Sequence, residues 1–289
     1  MSRMNAWVDF LHHFLGLLLP FAWAQPEFMR YALFAVLLIA PASAMLGVHV
    51  TAFRMAFFSD AVSHSAFTGI ALGFLLAISP LLAMVIFALG VGIIIIHLER
   101  KSNLAMDSII SVIMSLGVAV GLAIVSYKKS FFRELQAYLF GDILTITAEE
   151  LMLLLLILIV TGIYSLYAFN RLVLLGLHRH FAINRYPSAD RDKVIFSLLL
   201  ALVVAVSIKT IGMLLITSLV VIPAATARLL AATQRSAFWI GIVCATASSV
   251  AGLIISYYAD SSTGALIIIL LSAIFMGAYV IRIFRQSRF

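Results

Sequence analysis

Apolar runs close to the twenty residues that cross a bilayer recur along this 289-residue chain. They predict helical spans at roughly 31–53, 60–78, 80–97, 104–127, 150–170, 193–208, 211–231, 237–258 and 264–284. The breaks between them are chemical: Pro80 after Ile78 and Ser79, the charged HLERKSN, the polar YKKSFFREL and the hydrophilic HRHFAINRYPSADRD. Residues 1–30 carry Pro20, Pro26 and the adjacent His12 and His13, a pattern that suits an interfacial helix better than a further crossing. No basic region precedes VDFLHHFLGLLL, so a cleavable leader is not expected. The expected architecture is an all-α, polytopic transmembrane helix bundle of about eight or nine spans. It comprises an N-terminal interfacial segment, 1–30, and a membrane domain, 31–289.

Composition agrees with that pattern. Hydrophobic residues make up 64% of the chain and charged residues 11%, which leaves no room for a sizeable aqueous domain. The net charge of +7 sits in short loops between spans, where basic residues set orientation and touch lipid, so nucleic acid is not an expected partner. Counting Lys and Arg in alternate loops gives thirteen on one side, among them Arg54, Arg100, Lys101, Arg171, Arg179 and Arg228. The other side has four: Lys128, Lys129, Arg133 and Lys209. The positive-inside rule makes the first set cytoplasmic, together with the long basic segment 171–192 and the C-terminus. The single cysteine, Cys244, lies inside an apolar run and offers neither a disulfide partner nor a thiolate metal site.

Several chemistries fail on inspection. No HExxH presents zinc-binding histidines beside a glutamate, and no GxSxG presents a nucleophilic serine. None of the five lysines follows a glycine, so a phosphate-cradling loop is absent and any ATP must be bound by another chain. Pro41 and Pro223 fall inside spans and predict kinks, while Gly69–Gly73 and Gly117–Gly121 have the spacing that lets helices approach closely in lipid.

One constellation stands out in DAVSHSAFTG. Asp60 and His64 are four residues apart, so on a helix they share a face and both reach one ion. Carboxylate oxygen and imidazole nitrogen suit Zn²⁺, Mn²⁺ or Fe²⁺. Spacing alone also accommodates Asp60 as an N-cap of the second span with His64 as a hydrogen-bonded interior residue, and two ligands are too few for a closed tetrahedral site. His49 and Asp107 lack a spaced partner and read first as structural, Lys209 suits snorkelling to the external interface, and Glu149 and Glu150 open a span where negative charge complements the helix dipole.

The segment GVHVTAFRMAFFSDAVSHSAFTGIALGFLL resembles the early signature of the ABC-type permeases that import zinc, manganese or iron, the ZnuB-like family. LERKSNLAMDSIISVIMSLGVAVGLAIVS, AYLFGDILTITAEEL, SIKTIGMLLITSLVVIPAATARLLA and SYYADSSTGALIIILLSAIF follow in matching order and spacing. Together they cover most of residues 28–284, and the LERK and YLFGDILTIT wording is similar to the zinc branch. The resemblance implies a type II importer fold and transport by alternating access in a bacterial cytoplasmic (inner) membrane. It implies a second permease copy, a separate cytoplasmic ABC ATPase and an extracellular or periplasmic metal-binding solute-binding protein. The chain itself would then be a transport subunit and not an enzyme, with no permanently bound cofactor and a divalent cation as cargo. It also implies that Asp60 and His64 lie on the metal's path. One departure is visible: where such permeases carry an acidic–Ala–Gly pattern facing the ATPase, the coupling segment 171–192 reads basic and aromatic. A proton-coupled transporter with an Asp–His relay, an intramembrane enzyme and a non-transporting scaffold are the rival classes.

Overall fold

A bilayer offers no water to backbone N–H and C=O groups, which turns each apolar run into a helix that satisfies its own polar groups. The computed structural model describes residues 21–102, 104–127, 141 and 143–286. Among these are ten α-helices, two short 3-10 turns and no strand. The helices are α1 (Glu27–Ala52), α2 (Phe58–Leu75), α3 (Pro80–Lys101), α4 (Met106–Tyr127), α5 (Ala148–Leu177), α6 (Arg179–Arg185), α7 (Ala189–Ile211), α8 (Met213–Leu230), α9 (Gln234–Ala259) and α10 (Thr263–Gln286).

All but the short α6 correspond to the nine predicted spans, and eight of them are long and apolar enough to cross a membrane. The exception is α2, whose 18 residues include Asp60, His64, three serines and Thr68. Its polarity is the first structural sign that its surroundings differ from lipid. Of the N-terminal segment, residues 1–20 lie outside the described residues; Ala22–Ala24 form a 3-10 turn with Trp23 buried, and α1 already starts at Glu27. Most of the polar YKKSFFREL stretch also lies outside them.

Helix ends follow local chemistry. A capping box opens α5: the Glu150 N–H donates to the Thr147 hydroxyl, and the Glu150 carboxylate accepts the Thr147 N–H at 2.9 Å. Pro80 occupies the first position of α3, where its missing N–H costs nothing. The predicted loop 171–192 is largely helical. It consists of the last turns of α5, then α6, then the start of α7. At 30 residues α5 is roughly 45 Å long, longer than the hydrocarbon thickness of about 30 Å.

In the bundle, α1 packs against α5, α8 and α9, while α7 packs against α3, α5 and α8. These two helices are the most enclosed, and α10 is the least. Close approach is purchased with small residues. A Cβ on Gly69 would lie 2.8 Å from Met84 Cα, and one on Gly73 would lie 2.8 Å from Pro80 Cα, so α2 and α3 meet backbone to backbone. Gly117 meets Ser65 and Gly121 meets Phe67 and Thr68, which joins α4 to α2; the Thr68 hydroxyl donates to the Gly117 carbonyl.

The basic residues gather at one end. There the Arg171 guanidinium pairs with Asp192 at 3.2 Å, Arg179 pairs with Asp190 at 3.3 Å, and Lys193 donates to the Glu99 carboxylate. Arg100 donates to the Asp190 carbonyl and Arg228 to the Thr51 carbonyl. At the opposite end Lys209 pairs with Glu150 at 2.6 Å. There α7 and α8 are joined by one residue, Gly212, at φ 80 and ψ 161, a conformation a side chain would oppose.

Candidate metal site

Asp60 and His64 sit one turn apart on α2, both half-buried, on a helix that packs against α3, α4, α7 and α8. The N-cap reading of Asp60 does not hold. Phe57 occupies the cap, no side chain caps the helix there, and Asp60 stands inside the first turn. Its carboxylate instead faces α8, where the Thr217 hydroxyl reaches it, and it interacts electrostatically with His64. Thr217 also has the Leu214 carbonyl in reach at 3.2 Å. One hydroxyl proton serves one acceptor at a time, which leaves carboxylate lone pairs open to a cation. His64 has no hydrogen-bond partner among the described residues. Two cavities lie away from the pair, one of about 310 Å³ beside Gly141 and Ser261 and one of about 270 Å³ beside Phe169 and Arg235.

The weaker candidates part company with this pair. His49 is fully buried on α1 between the rings of Phe169 (5.6 Å) and Phe196 (5.9 Å), with neither nitrogen hydrogen-bonded. Glu150 and Lys209, read separately as a dipole partner and a snorkelling lysine, form an ion pair. Asp107 is exposed in the first turn of α4. No three His, Cys, Asp or Glu side chains among the described residues come together as a metal-binding group. Among the described residues Asp60 and His64 therefore have no third such side chain beside them. Thr217, which completes their polar surroundings, comes from a helix more than 150 residues away and carries no spacing signal.

Residues 25–282 match the family model described as the ABC 3 transport family. The chain belongs to that family. Across 91% of its length it is 31% identical to the high-affinity zinc uptake system membrane protein ZnuB of Haemophilus influenzae, covering 99% of that protein. It is 27% identical to the manganese import system permease protein ScaB of Streptococcus gordonii, over 88% of this chain and 91% of that one. The fold is that of PsaBC from Streptococcus pneumoniae in complex with Fab, with a TM-score of 0.76, 24% identity, and coverage of 88% and 92%. The ABC 3 chain described here is thus a multi-pass membrane permease of a metal importer for zinc, manganese or iron.

Proposed function

We propose that this permease passes Zn²⁺ inward across a bacterial cytoplasmic membrane by alternating access, with Asp60 and His64 as transient ligands on the way. The observation that carries the reading is the half-exposed carboxylate–imidazole face on the one span too polar to face lipid. Two donors from one chain are half of a tetrahedral set. A second copy related by a two-fold axis would supply the same two from across the path. An incomplete set in each half suits a transit site, which must release the ion as readily as it takes it.

Energy would come from a separate ABC ATPase bound at the basic end. There α5 runs on into α6, and the Arg171–Asp192 and Lys193–Glu99 pairs tie that segment to the bundle. A metal-loaded solute-binding protein would deliver cargo at the opposite end. The donor pair suits all three metals; what supports zinc is the zinc-branch wording of the LERK and YLFGDILTIT segments and the 31% identity to a zinc permease.

The test is uptake of radioactive Zn²⁺, with Mn²⁺ and Fe²⁺ in parallel, by the complete importer. Asp60→Ala and His64→Ala variants that reach the membrane are expected to lose ATP-dependent uptake. Normal uptake in both would sink the assignment.

A further inference from the structure

The α4 helix exposes two flanks of opposite character. On one, Val112, Leu116 and Val120 recur every four residues, all exposed and apolar. On the other, Asp107, Ser111 and Ser115 recur every four residues, exposed and polar. The first flank suits lipid. The second is polar, with Asp107 in the first turn of the helix and the Ser111 hydroxyl donating back to the Asp107 carbonyl at 2.8 Å. Asp107 also complements the positive end of the α4 dipole, so what singles out this flank is the side of the bundle it faces.

The direction of the polar flank follows from the packing. Ser65 meets Gly117 and Thr68 meets Gly121, so α2 and α4 ascend side by side in the same direction. Going round α4 from Gly117 one way leads to Asp107, Ser111 and Ser115, and the other way to Val112 and Leu116. On α2, Asp60 and His64 lie on one side of the contact and Gly69 and Gly73 on the other. Two parallel helices of the same hand turn like meshed gears, which brings Asp107, Ser111 and Ser115 to the Asp60 side. Independent contacts agree: α3 packs on the Gly69 and Gly73 side, and Thr217 of α8 reaches Asp60 on the other.

Heights along the axis complete the arrangement. Asp60 is five residues before Ser65, and Asp107 is ten before the facing Gly117. Asp107 therefore stands roughly 8 Å nearer the basic end than Asp60, at 1.5 Å per residue. Ser111 falls near the level of Asp60 and Ser115 near that of His64. We infer that the Asp107–Ser111–Ser115 flank of α4 is the inner wall of the same path, with Asp107 as the divalent cation's last carboxylate before the cytoplasm. Such a charge is needed there, because Arg100 and Lys101 end the neighbouring α3 and repel a departing cation. The inference rests on the transit role proposed for Asp60 and His64.

The experiment uses the complete importer on a Cys244→Ser background, with single cysteines at Ser111, Ser115, Val112 and Leu116. A charged, membrane-impermeant thiol reagent is applied from the cytoplasmic side, and labelling of this chain is followed with and without Zn²⁺. Cysteines at 111 and 115 are expected to react about tenfold faster than those at 112 and 116, since the attacking thiolate forms only in contact with water. Zn²⁺ is expected to slow them. In uptake assays Asp107→Asn should lose most transport at limiting Zn²⁺ while Asp107→Glu keeps it, a split that loss of folding would not produce. Equal labelling at all four positions, or normal uptake by Asp107→Asn, overturns the inference. If Asp60→Ala and His64→Ala still abolish uptake, only the α4 wall is lost; if they too transport normally, the transit role itself falls.

Discussion

The α2 helix and the outer surface of α10 are opposite answers to the same solvent. On α10, Ile269, Ile274, Val280, Ile281 and Phe284 stand exposed, and only 17% of its apolar window is buried. On α2 most residues are buried, yet the half-exposed face carries a carboxylate and an imidazole. Exposure in this chain therefore has two meanings. Exposed and apolar is the lipid boundary; exposed and polar, within a span, is a surface turned toward protein or water.

The sharpest way to break that distinction is to put the same charge on both flanks of α4. Val112→Asp should cost about 3 kcal/mol of membrane integration and show as a strong loss of inserted protein. Ser111→Asp, one residue away, should reach the membrane at the wild-type yield. Equal losses would mean that both flanks meet lipid. A smaller effect separates the protein-facing side of α2 from the lipid side of α10. Gly69→Ala forces a methyl against the Met84 backbone and should lower stability by about 1–3 kcal/mol, read as thermal unfolding in detergent. Ile274→Ala, on the exposed surface of α10, should stay within about 0.5 kcal/mol. The smallest effect belongs to the basic end, where water replaces lipid. Arg179→Ala removes an exposed partner of Asp190 and should change stability by less than about 1 kcal/mol in the same assay.

Hydropathy made the helices legible because the bilayer itself dictates them. It placed the end of α5 at 170, against Leu177 in the structure, because the charge on Arg171 reads as a break. The helix continues through LVLLGL, with Leu172 and Leu175 buried, and Arg171 is neutralised by Asp192 from α7. The four-residue step from Asp60 to His64 put both on one face, and the structure keeps them there. Thr217 was not legible, since only tertiary packing brings α8 to α2. Asp107, Ser111 and Ser115 had the same four-residue spacing in plain view. Serine is too cheap in a helix to attract notice, as Ser111 shows by bonding back to the Asp107 carbonyl at 2.8 Å.

The one-residue join between α7 and α8 makes the pair a lever with its fulcrum at Gly212. Thr217 lies five residues from that pivot and Arg228 sixteen, roughly 7.5 Å and 24 Å along the helix. Any tilt of α8 about Gly212 then moves the Asp60-facing hydroxyl less than a third as far as the basic end. A large displacement at the inner rim would reach the residues around Asp60 geared down, as a fine adjustment of position.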